Sequence, residues 1–179
     1  MNAPATHLTP PRIGQRWPAQ GGIYAGLVPG ADGGPDEHLI LGPDLPGERL
    51  AWQAALDWAT ALRTGGFNDW HVPTRDESAL LYATVRGHIE TGHWYWTSTQ
   101  SSRDDAWFQY FGNGNQTYGG KEFEARARAV RRFSVQSLDH FAGDIAVHVG
   151  QLRRLANAMT SAADRLECAQ QRERIDAEA

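Results

Sequence analysis

The chain changes character once, near residue 134, and that break limits what either side of it can fold into. All nine prolines and all seven tryptophans precede it, and only two of the nineteen glycines follow it. Large rings need a packed interior, while glycine and proline punctuate turns. Residues 1–133 therefore predict a loop-rich globular body pinned by aromatic anchors. The 46 residues after it read differently: Leu138, Phe141, Ile145, His148, Leu152, Leu155, Met159, Ala162, Leu166 and Ala169 step by three and four without a break. That spacing predicts one long amphipathic helix over residues 134–179, of roughly 60 Å.

With Leu138 at heptad position a, the d positions are Phe141, His148, Leu155, Ala162 and Ala169, and the e positions are Ala142, Val149, Ala156, Ala163 and Gln170. Small or apolar e positions make the stripe wider than a two-stranded seam needs. Self-association is expected, through Leu138, Phe141, Ile145, His148, Leu152, Leu155, Met159 and Leu166. A homotrimer comes first, with a dimer or a helix folded back on its own domain as alternatives. Gly143 and Gly150 fall at f, away from the seam. An imidazole at d would share hydrogen bonds when neutral and repel when charged, so assembly should loosen on acidification.

Within the first part, residues 1–20 carry four prolines and no periodicity and read as an extended arm. GGIYAGLV (21–28) and HLILG (38–42) are short apolar runs joined by PGADGGPDE, which predicts two strands and a turn. In LAWQAALDWATALR (50–63), Trp52, Leu56, Ala59 and Leu62 recur at helical spacing, and Gly65-Gly66 ends the helix. Thr74 and Glu77 then form a capping box, which predicts a second helix from about Arg75 to Val85. WYWTST (94–99), DAWFQYF (105–111) and FEARARAVRRF (123–133) follow as strands. The whole is α+β, with a domain over 21–133 and a helical segment over 134–179.

On a strand, Trp107, Gln109 and Phe111 face one way and Phe108 and Tyr110 the other. Both faces are largely apolar: one seals the core and the other packs under a second layer or meets a partner. Trp70, Trp94 and Trp96 read as core anchors, with Trp94 or Tyr95 lining a groove as the lesser reading. The arginines of the last strand are expected to brace acidic partners. After Phe111 the chain turns to FGNGNQTYGGKE, whose Asn, Gln, Tyr and Gly offer adaptable hydrogen bonds and a rigid ring. With the preceding loop QSSRDD, this gives a candidate ligand site of Arg103, Asp104, Asp105, Tyr110, Asn113, Asn115, Gln116, Tyr118 and Lys121. A plain solvated hairpin turn is the alternative.

Five motifs stand in order: W-x-x-A (Trp52, Ala55), G-G-F-x-D-W-x-V-P-T-R-x-E (Gly65 to Glu77), W-Y-W-T-S-T (Trp94 to Thr99), A-W (Ala106, Trp107) and R-A-V-R (Arg128 to Arg131). Over residues 20–133 the chain resembles the C-type-lectin-like domain at the C-terminus of the Legionella collagen-like adhesin, which also occurs in bacterial and phage proteins of unknown function. The resemblance implies two helices beside small twisted antiparallel sheets, with long loops on one side. Related folds include formylglycine-generating enzymes and the variable proteins of diversity-generating retroelements. The family pattern ends soon after the R-A-V-R strand, whereas this chain continues.

Function classes narrow by chemistry. A net charge of −4 argues against a general nucleic-acid binder. No segment is apolar enough to span or insert into a bilayer, and no signal peptide precedes residue 20, so synthesis in the cytoplasm is expected, with a virion as an alternative destination. Cys168 alone can form no internal disulfide and supplies no reactive pair of the formylglycine-generating type. His88 and His93 lack a carboxylate to complete a metal set, no glycine-rich phosphate loop adjoins a lysine, and no Glu-Pro-Asn or Gln-Pro-Asp calcium triplet occurs. Asp104, Asp105 and Asn113 are the one candidate set for calcium. No enzyme activity and no cofactor are expected. The first expectation is a ligand-binding module on an oligomeric stalk, a phage receptor-binding or adhesin component that engages a cell-surface glycan or protein. The second is a structural part of a phage particle, its aromatic surface buried against another phage structural protein.

Overall fold

A computed structural model describes residues 9–30, 33–43, 45–134 and 148–156. The chain divides into two units, Met1–Val135 and Gln136–Ala179. In the first, the described elements are β1 (Arg16–Trp17), β2 (Gly22–Val28), β3 (Glu37–Leu41), α1 (Trp52–Ala61), α2 (Arg75–Val85), β4 (Trp94–Gln100), β5 (Asp105–Tyr110), β6 (Gln116–Gly120) and β7 (Val130–Ser134). Helices mix with antiparallel sheets, which is an α+β architecture.

The first sheet has the order β1-β2-β3-β7 and the second β4-β5-β6. Because β3 pairs directly with β7, from Glu37↔Ser134 to Leu41↔Val130, everything between them is one excursion from neighbouring strands. That excursion holds both helices and the second sheet. Ala25, Val28, Leu39, Leu41 and Val130 of the first sheet, Leu81 and Val85 of α2, Ile89, Tyr95 of β4 and Phe111 form one buried cluster. The apolar positions of α2 thus bridge the two sheets.

The capping box forms as its spacing requires: Thr74 Oγ1 accepts from Glu77 N at 3.2 Å, and Glu77 Oε2 accepts from Thr74 N at 2.7 Å. Glu77 does more than cap. It is fully buried, lies 3.3 Å from His71 Nε2, and accepts from Nε of Arg132, whose Nη1 also reaches Glu37 Oε2 at 3.4 Å. Burial alone would raise its carboxyl, but the His71, Thr74 and Arg132 interactions outweigh it and hold the group at about 2. The neighbouring Arg131 grips Asp69 at 2.8 and 2.9 Å and Gln20 at 2.7 Å, with its guanidinium over the Phe67 ring.

Three expectations change. Residues 16–20, expected in an extended arm, form β1 and a short 3-10 turn against β2. Trp17 is buried edge-on to Tyr24, His38 and Phe133, because an indole this large finds its partners in the body. Of the strand expected over 123–133, only Val130–Ser134 is regular; Ala125 and Arg126 make isolated bridges to Leu50 and Tyr95. The stretch expected to be a loop after Phe111 contains strand β6. Of the predicted long helix, residues 148–156 are helical, and Leu138, Phe141, Ile145, Met159 and Leu166 lie outside the described residues. No described helix is long and apolar enough to cross a membrane.

Candidate functional site

The second sheet has two unlike faces, set by strand alternation and register. Tyr95 pairs with Gln109 and Trp107 with Tyr118, while Trp94 pairs with Tyr110 and Trp96 with Phe108. The face carrying Tyr95 and Gln109 turns to α2, where both residues are buried and Gln109 Oε1 accepts from Gln116 Nε2 at 2.8 Å. On the other face Trp96 is fully buried and donates to Leu50 O at 2.8 Å. Trp94, two residues earlier, is not a core anchor: it is 36% exposed. It meets Phe108 edge-on at 4.8 Å and Tyr110 at 5.2 Å, both of them only partly buried. The result is a row of three rings open to solvent on a rigid sheet.

The row leads into a cleft. A recess of about 120 Å³ is lined by Trp94, Arg49, Gly92, His93, Glu124 and Ala125. A second, of about 180 Å³, shares Arg49 and adds Leu45, Pro46, Glu48, Arg126 and Ala127. Ion pairs link the two recesses: Arg126 of the second pairs with Glu90 at 2.6 Å, and Glu90 meets His93 Nε2 of the first at 3.1 Å. Arg126 Nε is buried there without a hydrogen-bond partner. Rings for stacking beside paired charges for hydrogen bonding is a chemistry of recognition. Among the described residues no group of three or more His, Cys, Asp or Glu is placed to hold a metal ion.

Six of the nine residues expected to form one site lie in two groups at opposite ends of β5. Arg103, Asp104, Asp105 and Lys121 gather before it, and Asn113 and Asn115 after it. A six-residue strand keeps the groups about 17 Å apart, so Asp104, Asp105 and Asn113 do not share a calcium. Lys121 Nζ is occupied by Gln100 Oε1 and the carbonyls of Ser102 and Arg103, and Asp105 Oδ2 accepts from Ser102 Oγ at 2.8 Å. Gln116 is tied to Arg75 and Gln109. The turn between β5 and β6 is tight: Gly114 takes a φ of 82°, and a side chain there would strike the Tyr82 ring. Tyr118 is exposed on the α2-side face, and Tyr110 alone of the nine belongs to the ring row. Arg49, His93, Phe108, Glu124 and Arg126 were not in the expected site. Alternation pairs Trp94 with Trp96 and Phe108 with Tyr110 and could have found the row, but nothing local brings Arg49 to it.

Residues 17–131 match the family model of the Lcl C-terminal domain. The chain belongs to that family. The match begins at Trp17, in β1, and ends at Arg131, in β7. The matched residues therefore take in most of the first sheet and the whole excursion that carries the ring row. No curated protein matches the chain.

Proposed function

We propose that this Lcl C-terminal domain is a non-enzymatic ligand-binding module of C-type-lectin-like fold, which engages a carbohydrate or protein surface through the Trp94–Phe108–Tyr110 row and the adjoining cleft. The observation that carries this reading is the exposure of Trp94 beside a polar cleft, while Trp96 on the same face of the same strand is fully buried. An apolar ring left at the surface beside a polar cleft costs solvation and is useful where something stacks on it. The pairing of β3 with β7, with two helices and a second sheet inserted between them, supports the fold.

Display on an oligomeric stalk belongs to the same proposal. In the helical residues 148–156, Val149, Leu152 and Leu155 are 56%, 66% and 61% exposed. Three bulky apolar side chains in nine residues support self-association of residues 134–179, a trimer first, with avidity arising from effective concentration.

The test is a glycan array and a cell-surface panel probed with the full chain, Trp94→Ala and Tyr110→Ala. Each substitution should weaken binding by about tenfold or more while leaving the melting curve intact. Undiminished binding by both variants overturns the site. A chain that binds neither and instead co-purifies in fixed ratio with a capsid or tail protein overturns the receptor-binding role in favour of a particle component.

A further inference from the structure

The edges of the second sheet are treated differently. Along β4 the outward backbone groups are met: Trp96 N donates to Arg126 O at 2.9 Å, Arg126 N to Trp94 O at 3.0 Å, and Ser98 N to Pro73 O at 2.8 Å. At the other edge lies β6, last in the order β4-β5-β6. Tyr110 N donates to Asn115 O, and Lys121 N to Asp104 O. In an antiparallel ladder bonding residues alternate, so Asn115, Thr117, Gly119 and Lys121 face β5, and Gln116, Tyr118 and Gly120 turn their backbone groups outward. Gly120 O accepts from Phe123 N at 3.0 Å within the following turn and keeps a second lone pair. Among the described residues, no hydrogen bond occupies the outward groups of Gln116 and Tyr118.

A free edge normally carries a proline, a charge or a bulge that blocks pairing. The β6 sequence, QTYGG, has none of these. Lys121 follows directly, but its ammonium is folded back onto Gln100, Ser102 and Arg103.

We propose that β6 pairs antiparallel with the β6 of a second copy of this chain, about a two-fold axis at Tyr118, joining two three-stranded sheets into one. Tyr118 then exchanges two hydrogen bonds with its counterpart, and Gln116 lies opposite Gly120 of the other copy. Charge complementarity favours this occupant. Arg75 is held beside Gln116 by a 2.8 Å bond and lies 3.7 Å over the Trp107 ring. The Glu122 carboxylate fills the space a side chain on Gly120 would take. Gln116, Tyr118 and the missing Gly120 side chain point to one face, so the two-fold sets Arg75 of each copy against Glu122 of the other. Cross-strand neighbours on one face approach to about 5 Å. The ring row lies on the opposite face and stays open.

The experiment uses the full chain with Leu152→Lys and Leu155→Lys, which removes association through the helical segment, and reads mass by sedimentation at graded concentration. A two-copy species is expected. Tyr118→Pro should reduce it to single copies, because it deletes an outward N–H and leaves the β5 ladder whole. Arg75→Glu should weaken pairing about tenfold or more, and adding Glu122→Arg should restore it. In a Cys168→Ser background, Tyr118→Cys should form a covalent pair on mild oxidation. Trp94→Ala should leave pairing unchanged, which separates this proposal from the ligand site. A single-copy chain up to about 1 mM, where small interfaces still associate, overturns the proposal. So does a two-copy species indifferent to Tyr118→Pro and to the charge swap.

Discussion

Glu77 shows how one side chain is used twice. Its backbone-facing oxygen caps α2, and its buried carboxylate anchors Arg132 of β7 and His71. Removing the charge leaves Arg132 short of a partner, so Glu77→Gln should lower stability by about 3–5 kcal/mol in a urea melt. The pH dependence has a definite sign. A carboxyl held at about 2, against 4.5 when free, contributes fully above pH 4.5 and loses that contribution as pH falls toward 2. Melts at intervals across that window should show a loss in the native chain that the variant lacks. Trp96→Ala should cost about 3–5 kcal/mol, since its ring is fully buried and its indole donates to Leu50 O. The capping box was legible in the sequence because both partners lie within four residues. The third partner was not, because Arg132 lies 55 positions from Glu77 and arrives only through the return of β7 to β3. Trp94 and Trp96 were also inseparable by pattern: they share a face, and the segment that buries Trp96, with Leu50 O accepting from its indole, lies 46 residues away.

At the scale of elements, α1 and α2 follow from apolar spacing and caps, which are local signals. Strand β6 does not. QTYGG sets two strand formers, Thr117 and Tyr118, against two glycines, and it is extended because β5 templates it from Asp105↔Gly120 to Gln109↔Gln116. Read alone, it is a loop, and so the two ends of the hairpin were merged into one site. Trp17 was likewise hidden behind prolines that suggested an arm. It closes an aromatic box contributed by β1, β2, β3 and β7, in which His38 stacks on Phe133 at 4.9 Å and its Nδ1 lies 3.0 Å from Tyr24 Oη. Burial pushes the His38 imidazole below its ordinary value. The folded box therefore favours neutral histidine, and stability should fall as pH drops below about 6.5, where the unfolded chain takes up the proton first. His38→Leu should flatten thermal melts between about pH 5 and 7; an unchanged slope would show that the box does not resist protonation.

For the whole molecule, the proposed function puts recognition before the break near residue 134 and display after it. If residues 134–179 gather several domains, Leu152→Lys with Leu155→Lys should leave single-site affinity intact and lower apparent affinity for a dense surface by about 10²-fold or more. Surface plasmon resonance at high and low ligand density makes the comparison, and equal losses at both densities would count against a stalk. The β3–β7 pairing has a mechanical consequence for such an arrangement. A domain held at its ring row and tethered beyond Ser134 is pulled by its last strand. Tension then arrives at the end of β7 where Ser134 meets Glu37 and, two residues in, at Arg132, which is clamped to Glu37 and Glu77. Arg131 follows, riveted to Asp69 and Gln20. Such a tether would pull in turn against the buried Phe133 ring and two ion-paired arginines, so charge pairing at the exit strand would add to the packing that resists flow.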